Sequence, residues 1–253
     1  ILLAGTTGEA PTTHLPEKQA LIREVKDALE GRALLMAGAG SNDTAHAVRI
    51  GVGSQAAGAQ ALLINAPYYN RPSQEGVYRH IMAVVEATDL PVMIYDIPGR
   101  TGVRIEDGTL ARLAEHPRVL AVKDATGDVE QGFCRMEATG LEYYSGDDGL
   151  NFAWLAHGAS GMVSVVAHAD AHSWRQMVTE VDAGDLAGAR AVAQRMRPLV
   201  RAMMGGGQGA VMAKEALLLQ GRIPSAALRL PLVRASQTEV DVLRATLASC
   251  GLL

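Results

Sequence analysis

The chain has little cysteine, no basic excess and no long apolar run, and each shortage removes a class of protein. Only Cys134 and Cys250 occur, with no CxxC pair, which suits a reducing compartment and a fold without disulfides. No stretch approaches the roughly 18 apolar residues that a membrane-spanning helix needs. A net charge of -4 and a pI near 6.0 leave no basic footprint for nucleic acid. What remains is 48% hydrophobic and 20% charged, the balance of an ordinary soluble globular protein. At 253 residues the chain has a length at which α/β barrels are commonly one domain.

The dominant rhythm is a short apolar run, a polar or glycine break, then an amphipathic helical stretch. Apolar runs lie at Ile1 to Ala4, Ala33 to Ala37, Ala61 to Ile64, Val92 to Tyr95, Val119 to Val122, Leu141 to Tyr144 and Met162 to Val166. Helical patterns follow at Pro16 to Leu29, Asp43 to Ala57, Ser73 to Ala87 and Ile105 to Ala114, with Ser41, Asn42, Asp43 and Ser73 as candidate caps. Continuous apolar strands alternating with helices predict a parallel sheet covered on both faces. About seven such units without a linker favour a TIM (β/α)8 barrel over an open sheet. After residue 168 the strand signal stops. Residues 1–168 therefore read as barrel, and 169–253 as the last barrel helix with a C-terminal helical extension. The opening Ile1-Leu2-Leu3-Ala4-Gly5 reads as the tail of a buried strand, so the first βα unit, roughly 35 residues long, is expected to precede it.

In a barrel the strand-to-helix breaks line one face, and chemistry sits there. The breaks here carry Gly5-Thr6-Thr7-Gly8-Glu9, Ala66-Pro67-Tyr68-Tyr69-Asn70-Arg71-Pro72, Tyr95-Asp96-Ile97-Pro98-Gly99-Arg100-Thr101, Lys123, and Tyr144-Ser145-Gly146-Asp147-Asp148. A strand-end lysine facing a cavity loses water, which favours the neutral, nucleophilic amine. An amine beside hydroxyls points to imine chemistry on a carbonyl, with Tyr95 and Thr6 or Thr7 as proton relay. The N–H groups of a glycine-flanked turn can grip a carboxylate, and Arg100 can hold a second one with its fork. Each residue also has a plainer role: Lys123 snorkelling to solvent, the Gly5–Gly8 stretch as an ordinary turn, Tyr68 and Tyr69 as packing residues, Arg100 in a solvated loop, Asp147 and Asp148 as a cap pair.

Competing motifs fail. Gly38-Ala39-Gly40 begins a dinucleotide fingerprint, but position 43 is Asp. His168 and His172 are four apart, on one face if helical, but Ala169 stands where a zinc-protease helix has glutamate. Met204-Gly205-Gly206-Gly207-Gln208-Gly209 lacks the lysine of a phosphate loop and reads as a flexible connection.

Together, GTTGE at Gly5 to Glu9, PYYNRPSQEG at Pro67 to Gly76, YDIPGRTG at Tyr95 to Gly102, VKDATGD at Val122 to Asp128 and YSGDD at Tyr144 to Asp148 resemble the dihydrodipicolinate synthase and N-acetylneuraminate lyase family of class I aldolase-type barrels. The resemblance covers essentially the whole chain, with the motifs in family order. Arg100 stands where the subgroup condensing pyruvate with L-aspartate 4-semialdehyde holds the second substrate's carboxylate. The resemblance implies a cytoplasmic lyase of diaminopimelate and lysine biosynthesis. It implies Lys123 as the Schiff-base residue, Tyr95, Thr6 and Tyr69 as the proton relay, and Tyr69 reaching a neighbouring subunit's site. Thr7, Val163 and Gly146 would bind pyruvate, and Arg100 the semialdehyde. It further implies a homotetramer, a dimer of dimers, and no metal or organic cofactor. Another pyruvate-dependent aldolase or keto-acid dehydratase, or a non-catalytic or truncated relative, are the alternatives on the same scaffold. Lysine-sensitive members carry histidines in the helix after GTTGE and an acidic residue after the next strand. Leu15, Lys18 and His46 stand there, with Asn42 and Tyr68 kept, so weak or absent lysine inhibition is expected.

Overall fold

The apolar runs pair in parallel, in the order in which the chain supplies them. The computed structural model describes residues 1–205 and 208–253 and divides into two units, Ile1–Tyr144 and Ser145–Leu253. In the first unit β1 (Leu2–Leu3), β2 (Met36–Gly38), β3 (Ala61–Asn65), β4 (Val92–Asp96) and β5 (Val119–Asp124) are successive parallel neighbours, and β6 (Glu142–Ser145) closes the unit. Sheet order in this unit follows chain order, and the second unit carries the short β7 (Gly161–Met162). Between the strands of the first unit run α1 (Leu15–Leu29), α2 (Thr44–Ala57), α3 (Gln74–Glu86), the short α4 (Pro98–Thr101), α5 (Asp107–Ala114) and α6 (Val129–Thr139). This is the alternation expected of the α/β class.

All five residues of β4 are buried, as a strand covered on both faces requires. Ile64, Ile94 and Val122 are 1% exposed or less. Each contributes roughly 1.5–3 kcal/mol by leaving water. The helices answer with Ile22, Val77, Ile81, Val84, Val85, Leu110 and Leu113, all buried. Of the candidate caps Asp43 and Ser73 serve: Asp43 accepts from the Ala45 N–H at 2.9 Å and Ser73 from the Gly76 N–H at 3.3 Å, while Ser41 and Asn42 lie ahead of the helix. Two glycines of the failed dinucleotide fingerprint permit close approach instead. A Cβ on Gly38 would stand 2.1 Å from the Ala4 carbonyl oxygen, and one on Gly40 1.7 Å from Asn65 Oδ1.

The second unit contains α7 (Asn151–Ala156), α8 (Ala167–Asp182), α9 (Leu186–Met204), α10 (Gly209–Leu219) and α11 (Gln237–Ser249). Its core gathers Trp174, Met177, Val192, Met196, Leu199, Met212, Leu243 and Leu247. Glu215 is buried and takes the Arg234 fork at 2.8 and 2.7 Å, a bidentate pair that compensates the buried carboxylate.

Several boundaries differ from the sequence reading. The second strand begins at Met36 rather than Ala33, since Leu34 is 74% exposed. Of the run from Met162 to Val166 only Met162 lies in a strand, together with Gly161. The Val165 and Val166 N–H groups donate instead to Asp148 Oδ2 at 2.9 and 3.0 Å, and the Ser164 hydroxyl also bonds that carboxylate. His168 and His172 do not share a helix face, because Asp170 between them has non-helical dihedrals (φ -148, ψ 82). Asp170 then caps the helix proper, its Oδ1 accepting from the Ser173 N–H. Of the glycine-rich connection read before α10, Gly206 and Gly207 lie outside the described residues.

Candidate active site

Parallel pairing of β4 and β5 puts Tyr95 opposite Lys123, with the amine 4.1 Å from the centre of the phenol ring. Both are buried, at 6% and 7% exposure. The ring face offers the ammonium a partial substitute for the water it loses on burial. One strand end thus presents a phenol, the next an amine, in contact.

Tyr95 also forms part of the wall of a cavity of about 740 Å³. Thr6, Tyr68, Tyr69, Arg71 and Arg100 lie on the same wall, with Gly40 and Asn65. Lys123 and Thr7 are not on that wall. Both threonines are half-buried in the turn after β1. That turn is tightly wound: Gly8 and Ala10 N–H groups donate to the Gly5 carbonyl at 3.0 and 3.3 Å, and Glu9 N–H to the Thr6 carbonyl at 3.2 Å. The N–H groups of Gly8, Glu9 and Ala10 are therefore spent inside the turn.

The loop after β3 is strained where it borders the cavity. Tyr69 and Arg71 sit at φ 72 and 46, a region that costs non-glycine residues energy and clusters at functional sites. The Tyr69 N–H donates to the Thr101 carbonyl at 3.1 Å, and Asn70 bonds the Asn42 carbonyl at 2.8 Å. The first bond holds the loop against α4 and the second against the segment before α2. Tyr69 itself is 88% exposed. Arg100 lies on α4, which Thr101 steadies by its hydroxyl bond to Val103 at 2.8 Å. Gly146 and Val163 belong to the second unit. The Val163 N–H is committed to the Ser145 carbonyl at 2.8 Å, which leaves its carbonyl and side chain for any contact with a ligand.

A cluster behind the strand ends escaped the sequence reading. Asp96 and Asp124 follow Tyr95 and Lys123 directly and are 3% and 2% exposed. Burial pushes the Asp96 carboxyl up to about 6, and the Asp124 charge adds to the rise while Arg135 opposes it. Burial also raises Asp124, against the bonds it accepts from Thr126. Arg135 bonds Asp96 at 3.2 Å, with both side chains buried. Tyr143 beside them is raised as well, chiefly by burial. The signal was present in the YD and KD dipeptides: residues adjacent in a strand point to opposite faces. Arg71 was likewise quoted in its motif without a role, though it shares the cavity wall.

With this geometry in view, comparison with known proteins is decisive. The profile of the dihydrodipicolinate synthetase family matches residues 1–250. The chain belongs to that family. Among its curated relatives is a 4-hydroxy-tetrahydrodipicolinate synthase of Kineococcus radiotolerans, 49% identical over 252 residues, which cover 100% of this chain and 82% of that one. Another of the same description, from Bifidobacterium longum, is 46% identical over 253 residues, covering 100% and 83%. A crystal structure of dihydrodipicolinate synthase from Acinetobacter baumannii, complexed with pyruvate, superposes with a TM-score of 0.96 at 34% identity, covering 100% of this chain and 87% of that one. The parallel sheet with intervening helices is the family's TIM-barrel-like fold.

Proposed function

We propose that the chain catalyses the condensation of pyruvate with L-aspartate 4-semialdehyde to 4-hydroxy-tetrahydrodipicolinate. The observation that carries the residue roles is the Lys123–Tyr95 contact beside a cavity that holds Thr6 and Arg100. In this reading the neutral Lys123 amine attacks the pyruvate carbonyl, and the carbinolamine loses water to give the imine. Tyr95, Thr6 and Tyr69 move the protons. Loss of a methyl proton converts the imine to an enamine, whose carbon attacks the aldehyde of the second substrate. The substrate amine then displaces Lys123 by transimination as the ring closes. Thr7 with Gly146 and Val163 holds the pyruvate carboxylate, and Arg100 holds that of the semialdehyde. This sequence of steps asks for no metal or organic cofactor.

The exposure of Tyr69 on a strained loop supports its use across a subunit boundary, in a homotetramer built as a dimer of dimers. The finer fold reading goes with the family: a (β/α)8 barrel over residues 1–168, with 169–253 as last barrel helix and helical extension. No helix among the described residues is long and apolar enough to cross a membrane, and a cytoplasmic setting fits a biosynthetic lyase. Lys18 gives the lysine reading a physical basis. Its buried ammonium is spent on the Ala10 carbonyl at 2.7 Å and the Thr13 carbonyl, where lysine-sensitive members carry a histidine.

The test is an initial-rate assay with pyruvate and a panel of aldehydes. Aspartate semialdehyde is expected to be strongly preferred over sugar-acid aldehydes. Preference for a sugar-acid aldehyde would assign the chain to a sister aldolase instead.

A further inference from the structure

We propose that Arg135 is a positioning residue, which holds Tyr95 against Lys123 by anchoring the end of β4 that carries Tyr95. The inference rests on the imine reading of Lys123. Asp96 and Asp124 are the last paired residues of the β4–β5 ladder, directly after Tyr95 and Lys123. Strand alternation turns them to the face opposite the amine and the phenol. Two neighbouring buried carboxylates disfavour each other's charge, and a counter-charge beside them relieves this. Arg135, on α6, is the one buried arginine among the described residues.

Its fork ties the end of β4 to α5 and to the segment just before α5. Nη1 bonds Asp96 Oδ2 at 3.2 Å, Nη2 bonds the Ile105 carbonyl at 3.0 Å, and Nε bonds Asp107 Oδ1 on α5 at 2.7 Å. The Ile105 N–H returns to Asp96 Oδ1 at 3.3 Å, so carboxylate, backbone and guanidinium form a closed ring of bonds. On the neighbouring strand Asp124 Oδ1 takes the Thr126 N–H and hydroxyl at 2.9 and 2.8 Å. The Ala125 N–H crosses to the Asp96 carbonyl at 2.9 Å. Each carboxylate thus sits one residue beyond a reacting side chain and ties a following segment to it, Ile105 to Asp96 and Thr126 to Asp124, and Arg135 is the buried positive charge paired with Asp96. A planar fork with several fixed donors suits this task, and a lysine cannot reproduce it fully.

The test compares wild type with Arg135→Lys, Arg135→Met and the double variant Arg135→Met/Asp96→Asn. The double variant removes one buried charge of each sign and keeps an acceptor for the Ile105 N–H, so it folds even where the single methionine variant does not. Thermal melting reports the fold, steady-state rates report kcat and KM, and borohydride quenching reports the rate at which pyruvate is trapped on Lys123. The expected result for the folded double variant is a loss of about 10- to 100-fold in kcat and trapping rate, the scale of a small misplacement at a reacting centre. The KM for pyruvate moves far less, and Arg135→Lys recovers part of the loss. A variant that melts lower but traps pyruvate at the wild-type rate would make Arg135 purely structural and overturn the anchoring role. So would a lysine variant no better than the folded double variant. If wild type itself traps no pyruvate on Lys123, the imine reading fails and the anchoring role with it.

Discussion

Replacing Asp96 by asparagine should change how stability depends on pH, in a direction set by burial. Asp96 is 3% exposed, and its carboxyl is raised from 3.8 to about 6 in the folded protein, first by burial and then by the Asp124 charge. Asp124 on β5, Arg135 on α6, Tyr143 on β6 and, through Arg135, Asp107 on α5 are the charged or titratable groups around it. A carboxyl whose folded value is raised contributes stability fully below its unfolded value and loses it as pH climbs through the folded one. At 1.36 kcal/mol per pH unit the whole effect is roughly 3 kcal/mol, of which about 2 kcal/mol falls between pH 4.5 and 7. Asparagine has no proton to lose. Stability of Asp96→Asn relative to wild type should therefore rise by about 2 kcal/mol over that interval, whatever the offset from the altered Arg135 bond. Urea denaturation of both proteins at half-unit steps measures it. A difference that stays flat, or falls with rising pH, would refute the burial argument.

Other substitutions probe the site and its frame. Gly38→Ala places a methyl 2.1 Å from the Ala4 carbonyl, where β1 and β2 pair ahead of the threonine turn. A destabilisation of about 3 kcal/mol, or a fall of ~6–12 °C in Tm, is expected by thermal melting, and an unchanged Tm would mean that β1 is not held where the structure puts it. Arg100→Ala should raise the KM for aspartate semialdehyde while pyruvate trapping on Lys123 persists, and equal loss of both would make Arg100 structural. Millimolar L-lysine should leave the initial rate essentially unchanged, since Lys18 and His46 occupy two of the positions concerned, and strong inhibition would contradict that reading.

Much of the frame was legible because it follows from local pattern. Buried parallel strands announce themselves as apolar runs, and the helices between them by their periodicity and caps such as Asp43 and Ser73. The candidate site residues were legible as a group because they fall where strands break, and Thr6, Tyr69, Tyr95 and Arg100 share one cavity wall. What escaped was decided by tertiary partners. Asp148 takes the backbone N–H groups of Val165 and Val166, so an apolar run of five leaves only Met162 in a strand. A kink at Asp170 parts two histidines that sequence spacing would align. The Asp96–Asp124–Arg135 cluster depends on strand register and on a helix not assigned from sequence, α6. No local pattern pairs residues 96 and 135. The threonine turn was anticipated as an anion grip, but which of its N–H groups are spent internally emerges only from its hydrogen bonds.

The central claim is that Lys123 is a nucleophilic amine held against Tyr95. Incubation with pyruvate and borohydride, followed by peptide mass spectrometry, tests it most directly. The account predicts one reduced pyruvate adduct per chain, located on Lys123 and lost in Lys123→Ala. An adduct that survives in Lys123→Ala, or no adduct in the wild-type protein, would contradict it.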